Sequence, residues 1–333
     1  MSEMPDAPVV LVLTEIEGSR AGSITYELLG IGKKIASDLK GIVGAVVLGH
    51  QNSEVVEEVG RFSDAVYSVD HPELATFKGE LYVSVMLQLC RKVNPDIVII
   101  GSTLNGLDLG PRLAYKLEVD IVTDCVQLAV VPQTGHLLCT KPVYGANINS
   151  VFKLEKKPCM AILRPKSVEP IMVQGTLAEL LEFDANIENS LTKVETIERV
   201  KEEGVDLKKA ELIVAGGRGI RNAEGIETLK GLVHALRKHS SNVEFGASRP
   251  LVDAHLVPSS LQIGLTGEKV APKLYIAVGI SGSLQHMAGV LGAKKIIAIN
   301  NDPEAYIFKA ADYGVVGRFE EIVPALKEKL EEL

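Results

Sequence analysis

The chain has no tryptophan, and aromatic residues make up only 5% of its 333 residues, so an indole stacked on a ligand is excluded. Its four cysteines, Cys90, Cys125, Cys139 and Cys159, are widely spaced and form no CxxC pair. Reduced thiols in core or strand positions fit that spacing better than a disulfide framework or a zinc site. No apolar run approaches the ~18–20 residues needed to span a bilayer. Met1 to Pro8 carries acids and no base ahead of the short apolar run Val9 to Leu13, the reverse of a secretory leader. These absences predict a cytoplasmic protein without membrane insertion. Basic residues are also in deficit, 35 against 43 acidic ones, and the net charge of −8 argues against nucleic acid as a partner.

What is present is ordinary for a soluble globular chain, with 46% apolar and 23% charged residues. The length suits two domains. Residues 9–14, 42–48, 65–69 and 96–100 are strand-like apolar runs. Between them, 23–39 places Ile24, Leu28, Ile31, Ile35 and Leu39 at helical spacing, and 79–92 and 107–117 read as further helices. This alternation predicts a parallel sheet covered on both faces. From 121 the pattern changes. Segments 121–131, 137–143 and 148–154, with 159–163 after them, are strand-like and joined by short Gly/Pro turns, which suggests an antiparallel addition.

The stretch 190–207 is rich in charge and poor in apolar residues, either a solvated helix or an unstructured linker, and it is the best domain boundary. A second βα series follows, with strands at 211–215, 274–278, 295–299 and 313–316 and helices at 222–238 and 319–330. The expected organisation is α/β. An N-terminal domain, 1–190, holds a nucleotide-binding-like parallel sheet with an antiparallel addition. A linker, 191–207, leads to a doubly wound C-terminal domain, 208–333.

Three glycine-rich turns follow expected strands in the second domain: Gly216-Gly217-Arg218-Gly219, Gly246-Ala247-Ser248-Arg249-Pro250 and Gly279-Ile280-Ser281-Gly282-Ser283. In an open α/β sheet, ligands collect beyond the carboxyl ends of strands, where small residues let a pyrophosphate approach the main chain. Three such turns point to one large phosphorylated ligand; the alternative is ordinary βα turns that need positive φ. Familiar motifs fail on inspection. Gly217–Asn222 ends in Asn222 where the dinucleotide fingerprint needs Gly, and no P-loop sequence occurs. The GxSxG-like stretch ends in Ser283, and Ser281 and His286 are poorly spaced for a catalytic pair. No catalytic residue is expected. His286, beside Ser283 and Gln285, is a structural hydrogen-bonder or a site residue; Arg249 is a surface ion-pair partner or a site residue.

These residues carry a resemblance. Gln262-Ile263-Gly264-Leu265-Thr266-Gly267, then 270–282 (VAPKLYIAVGISG), then Gln285-His286, resemble the signature of electron-transfer flavoprotein alpha subunits. Asn300, Asp302-Pro303-Glu304-Ala305 and Ala311-Asp312-Tyr313-Gly314 continue it, and Tyr26–Gly30 and Asp108–Ala114 extend it loosely into the first domain. The resemblance implies a heterodimer with a beta subunit and one FAD held mostly by the C-terminal domain. It implies an electron carrier between dehydrogenases, such as acyl-CoA dehydrogenases, and a downstream acceptor. It places Arg218 near the adenine-diphosphate part of FAD. Ser248, Ser281, Gly282 and Gln285 would meet phosphate or ribityl groups, and Asn300 the adenosine side. Arg249, Thr266 and His286 would surround the isoalloxazine ring, with His286 as a hydrogen-bond donor. Gln262, Ile263, Gly264, Leu265, Gly267, Ser283, Leu284, Arg318 and Phe319 complete the implied cofactor-binding set. Leu265 and Arg318 depart from the family, which often has Gln and an acid there. A unit charge ~4 Å from the ring at an effective dielectric of ~20 gives about 4 kcal/mol, or roughly 170 mV as an upper bound on what Arg249 contributes. Two other readings stay open: a bifurcating complex with NADH and a second FAD in the beta subunit, and an adenine-nucleotide-binding structural subunit.

Overall fold

Five consecutive apolar residues, Val9–Leu13, are all buried, because a strand in a parallel sheet has a covered face on each side. The computed structural model that shows this describes every residue except 1–6, 145–147, 173, 174, 176, 188–193, 195–206, 241 and 333. Contacts divide the chain into two units, Met1–Val143 with Asn147–Glu198, and Tyr144–Ala146 with Arg199–Leu333. Of the charged stretch 190–207, only Val194 and Leu207 are described, so its expected helix or linker character lies outside the described residues.

The first unit runs β1 (Val9–Leu13), β2 (Ile16–Glu17), β3 (Arg20–Ala21), α1 (Ser23–Leu39), β4 (Ile42–Gly49), α2 (Ser53–Gly60), β5 (Ala65–Asp70), α3 (Gly79–Val93), β6 (Ile97–Gly101), α4 (Leu104–Leu117), β7 (Ile121–Cys125), β8 (Gln127–Val131), β9 (His136–Val143), β10 (Ile148–Leu154), β11 (Cys159–Leu163) and β12 (Glu179–Glu182). Seven strands form one sheet in the order β12-β5-β4-β1-β6-β11-β7, and every pairing in it is parallel. Val10 and Val12 pack with Leu28, Ile35 and Val55 on one face. Leu11 and Leu13 pack with Leu89 and Leu113 on the other. Each such buried aliphatic side chain contributes ~1.5–3 kcal/mol.

The antiparallel addition is smaller than expected. Among the described residues, β8, β9 and β10 alone form it. The expected strand 121–131 splits: β7, with Asp124 inside it at φ 62°, joins the parallel sheet, and the chain bends at Val126 before β8. Segment 159–163 also enters the parallel sheet, as β11 between β6 and β7. All four cysteines are free and buried.

Glu27, on the buried face of α1, faces the backbone N–H groups of Lys166, Ser167 and Val168, while its Oε2 has no partner. Burial outweighs those donors and pushes the carboxyl up to about 7. A raised carboxyl binds its proton more tightly in the folded state, so stability falls as pH rises from about 4.5 to about 7. The rise from about 4.5 to about 7 caps the effect at ~3 kcal/mol. Glu27→Gln is expected to flatten this dependence. Thermal melts of both proteins at pH 5 and pH 7.5 check it, and parallel pH profiles would refute it.

The second unit runs β13 (Leu212–Gly216), α5 (Ala223–Leu236), β14 (Val243–Ala247), α6 (Arg249–Asp253), β15 (Leu274–Val278), α7 (Leu284–Met287), β16 (Ile296–Asn300), β17 (Tyr313–Val316) and α8 (Phe319–Glu331). Its five strands are parallel in the order β14-β13-β15-β16-β17. Val214 faces the α5 and α8 side, with Leu229 and Val323. Its neighbours Ile213 and Ala215 face the side of Met287 and Ile307. Helical segments thus cover both faces, as in a doubly wound domain.

Candidate functional site

The strand order reverses between β13 and β15, since the chain moves first to β14 and then back across β13. In such sheets the crevice beyond the carboxyl ends at the reversal is the ligand position. Register sharpens this. Gly216 pairs with both Ala247 and Val278, so the three glycine turns leave the sheet side by side.

The turns are pressed together by main-chain bonds. Gly217 N–H donates to Val278 O at 2.8 Å, and Gly219 N–H to Gly279 O at 3.0 Å. A Cβ on Gly217 would strike the Gly279 carbonyl and sit 2.6 Å from Ile280 Cα. Gly279 and Gly282 have φ of 62° and 81°, so they supply the left-handed backbone that the ordinary-turn reading requires. Gly217 and Gly219 instead permit close approach, and their N–H groups are spent inside the turn rather than on a ligand.

Two depressions lie along this ridge. One, of about 450 Å³, is lined by Arg218, Ser248, Arg249, Gln262, Ile263, Gly264, Leu265, Thr266, Ser281, Ser283, Gln285 and His286. The other, of about 340 Å³, is lined by Asn300, Arg318 and Phe319 together with Gly219, Gly279 and Arg221. Gly267, Gly282 and Leu284 line neither. Gly267 and Gly282 instead allow tight backbone packing, against Gln262 and Ile307 respectively. Outside the implied cofactor-binding set, Asp253 also lines the first depression, with Pro250 and Ile280 of the glycine turns, and Arg221, Ile299, Asn301, Gly317 and Glu320 line the second. The one available signal was Asp253, four residues after Arg249 and so on the same helical face.

The first depression is built by the segment after α6 folding back over the sheet end. Ile263 N–H donates to Ala247 O at 2.8 Å, and Leu265 N–H to Gln285 O at 2.7 Å. Gln262 Nε2 donates to Thr266 Oγ1 at 3.0 Å. Arg249 holds Asp253 at 3.3 Å, with a side chain 67% exposed. Both expectations for Arg249 therefore apply: it lines the cavity and it is a surface ion pair.

His286 departs from expectation. Its ring is buried, and Ser283 Oγ accepts its backbone N–H at 3.4 Å. Nδ1 lies 3.1 Å from the Ile263 carbonyl oxygen, which can only accept, so Nδ1 carries the proton. Nε2 then accepts from the Tyr275 hydroxyl at 2.9 Å. Burial pushes the ring down to about 4, so it is neutral near pH 7. Neither nitrogen is left to donate into the cavity, which corrects the expected donor role. The Ser281–His286 pair does not form either, since both ring nitrogens are bonded elsewhere.

Comparison with known proteins fits this geometry. Residues 10–201 match the Electron transfer flavoprotein domain, and 206–291 the Electron transfer flavoprotein FAD-binding domain. The chain is 37% identical to the electron transfer flavoprotein subunit alpha of Thermoanaerobacterium thermosaccharolyticum over 99% of its own length and 100% of that protein's. It is 36% identical to the subunit of the same name from Bacillus subtilis, over 97% and 98%. It is 31% identical to the acryloyl-CoA reductase electron transfer subunit beta of Anaerotignum propionicum, over 92% and 91%. With both halves matched in order and full-length relatives above 30% identity, the chain belongs to the electron-transfer flavoprotein alpha-subunit family and serves electron transfer.

Proposed function

We propose that the second unit holds one FAD across the β13/β15 crevice, and that the chain pairs with a beta subunit. In this reading it carries electrons from flavin dehydrogenases, such as acyl-CoA dehydrogenases, to a downstream acceptor in the cytoplasm. The observation that carries the reading is the pair of depressions on either side of the Gly219–Gly279 ridge. A dinucleotide has that outline: a ring system at each end and a diphosphate between. Ser248, Ser281 and Arg218 are the groups near the ridge suited to phosphate, since the Gly217 and Gly219 amides are occupied. Asn300 and Arg318 suit the adenosine end, and Arg249, Thr266 and His286 the flavin end. Bound FAD supplies the redox chemistry, while the chain orients it, shields it and sets the charge around it. The domain limits 1–190 and 208–333 belong to the same proposal.

Purification with a co-expressed beta subunit tests it. The complex is expected to be yellow and to release one FAD per alpha chain. A colourless complex that gains no flavin absorption on adding FAD would defeat the reading. The likeness to a reductase's electron transfer subunit favours a second reading, a bifurcating complex with a second FAD in the beta subunit. Two flavins per heterodimer would support it; one FAD with AMP would exclude it.

Arg249→Lys follows as a prediction. The exposure of Arg249 and its ion pair with Asp253 reduce the earlier upper bound, because a screened pair is worth at most ~1 kcal/mol, about 40 mV for one electron. Lysine keeps the charge and loses the planar fork. The flavin potential is expected to fall by tens of millivolts or FAD retention to weaken. Redox titration and dialysis check it, and no change in either would remove Arg249 from the ring side.

A further inference from the structure

Gly289 lies two residues after α7 and lines neither depression. It is buried, and its backbone takes no positive φ, so glycine is not there for its dihedral freedom. The position demands space instead. A Cβ on Gly289 would sit 2.5 Å from Gly264 N, 2.6 Å from Gly264 Cα and 3.1 Å from Glu268 O. Two of those atoms are the donor and acceptor of one bond, since Gly264 N–H donates to Glu268 O at 3.2 Å. That bond closes the turn that carries Leu265 and Thr266, both on the wall of the first depression. The fit is reciprocal: a Cβ on Gly264 would meet Gln285 O at 3.1 Å and His286 Cα at 3.6 Å. From this geometry we infer that Gly289 is a positioning residue: its bare backbone lets the 264–268 turn seat directly on the α7 segment, and so sets the distance between two walls of the proposed flavin cavity.

The seat has no slack. Leu265 N–H donates to Gln285 O at 2.7 Å, and Val270 N–H to Gly289 O at 2.8 Å. Ahead of the turn, Ile263 N–H is held by Ala247 O of β14 at 2.8 Å. The segment is thus pinned before, within and after the turn. The three atoms nearest the added Cβ are all main chain, so no rotamer change can make room for it. Ordinary contact needs ~3.5 Å, so the turn would have to retreat from Gly289 by about 1 Å. A retreat from the α7 segment stretches the Leu265 bond to Gln285. It also separates Leu265 and Thr266 on the turn from Gln285 and His286 on α7. A shift of ~1 Å is enough to spoil the aim of groups that hold a ligand. The flavin meaning of this gap rests on the proposed FAD site, whereas the seat itself is a property of the chain.

The test uses the full chain purified with its co-expressed partner, and reads amide hydrogen exchange residue by residue. In wild type the Gly264 and Leu265 amides are expected to be protected. Gly289→Ala is expected to speed exchange at Leu265 by about tenfold or more, and to leave the Gly217 amide, bonded to Val278 O, as slow as before. Val214→Ala makes a cavity on the opposite face of the sheet and controls for lost stability. It should not release Leu265. Unchanged Leu265 exchange in a folded Gly289→Ala protein would overturn the inference, and so would equal release in Val214→Ala. If Gly289→Ala does not fold, wild type decides: Gly264 and Leu265 amides that exchange as fast as in unfolded chain overturn it. In flavin-loaded protein, Gly289→Ala should shift the midpoint potential and the visible absorption maximum, and Val214→Ala should shift neither. Potentials and spectra that stay the same beside a freed Leu265 amide would overturn the link to the cavity walls. Wild-type protein that takes up no FAD refutes the flavin reading alone, and the exchange rates still judge Gly289.

Discussion

Gly217→Ala is expected to lower stability by ~2–3 kcal/mol and to reduce FAD retention more than tenfold. The added methyl would strike the Gly279 carbonyl and sit 2.6 Å from Ile280 Cα. Both neighbours are backbone, so no flexible side chain can move aside. Relief requires separating the turn after β13 from the turn after β15, which breaks Gly217 N–H to Val278 O and Gly219 N–H to Gly279 O. Those bonds close the ridge between the two depressions, so the damage reaches both ends of the proposed ligand. Gly231 is the control. It lies in α5 with nothing within 4 Å of its added Cβ, and alanine there should stabilise by ~0.5–1 kcal/mol. Urea denaturation and flavin absorbance after dialysis read both effects. A Gly217→Ala protein that keeps wild-type stability and flavin would show that the ridge does not shape the site.

The parts of this architecture that were legible are those set by local burial. β1, β6 and β15 are runs of consecutive apolar residues because both faces of a parallel sheet are covered. α1 shows its buried stripe at Ile24, Leu28, Ile31 and Ile35. Pairing was not legible, because it is non-local. β7 and β8 read as one strand until the bend at Val126 separates a parallel partner from an antiparallel one. β12 escaped because Glu179–Glu182 is four residues long, mostly exposed, at the sheet edge beside β5. α2 escaped because Ser53–Gly60 spans only two turns.

At the site, the glycine turns announced the crevice, but sequence could not say which glycines serve φ and which serve contact. The direction of the His286 bonds was beyond reach for the same reason. It depends on Tyr275 and Ile263, 11 and 23 residues away along the chain.

Asn300→Asp replaces one atom and is expected to be more damaging than Asn300→Ala. Asn300 ends β16, buried, and uses both sides of its amide. Nδ2 donates to Ile280 O at 2.9 Å, and Oδ1 accepts from Asp302 N at 3.0 Å. It therefore ties the end of β16 to the turn after β15, on the wall of the second depression. Alanine leaves two backbone groups without these bonds, at a cost of ~1–3 kcal/mol. Aspartate keeps the acceptor for Asp302 but sets a carboxylate oxygen against the Ile280 carbonyl. Its charge is buried and also opposes a ligand diphosphate. Folding then favours the protonated acid, whose O–H can donate to Ile280, so the carboxyl is raised and stability falls as pH increases. The aspartate variant should thus be weaker than the alanine variant at pH 8, in urea midpoint and in FAD retention, and should recover at pH 5. Alanine has no proton to gain and should show no such recovery. Variants that respond identically to pH would mean that the Asn300 side chain does not hold the turn through Ile280.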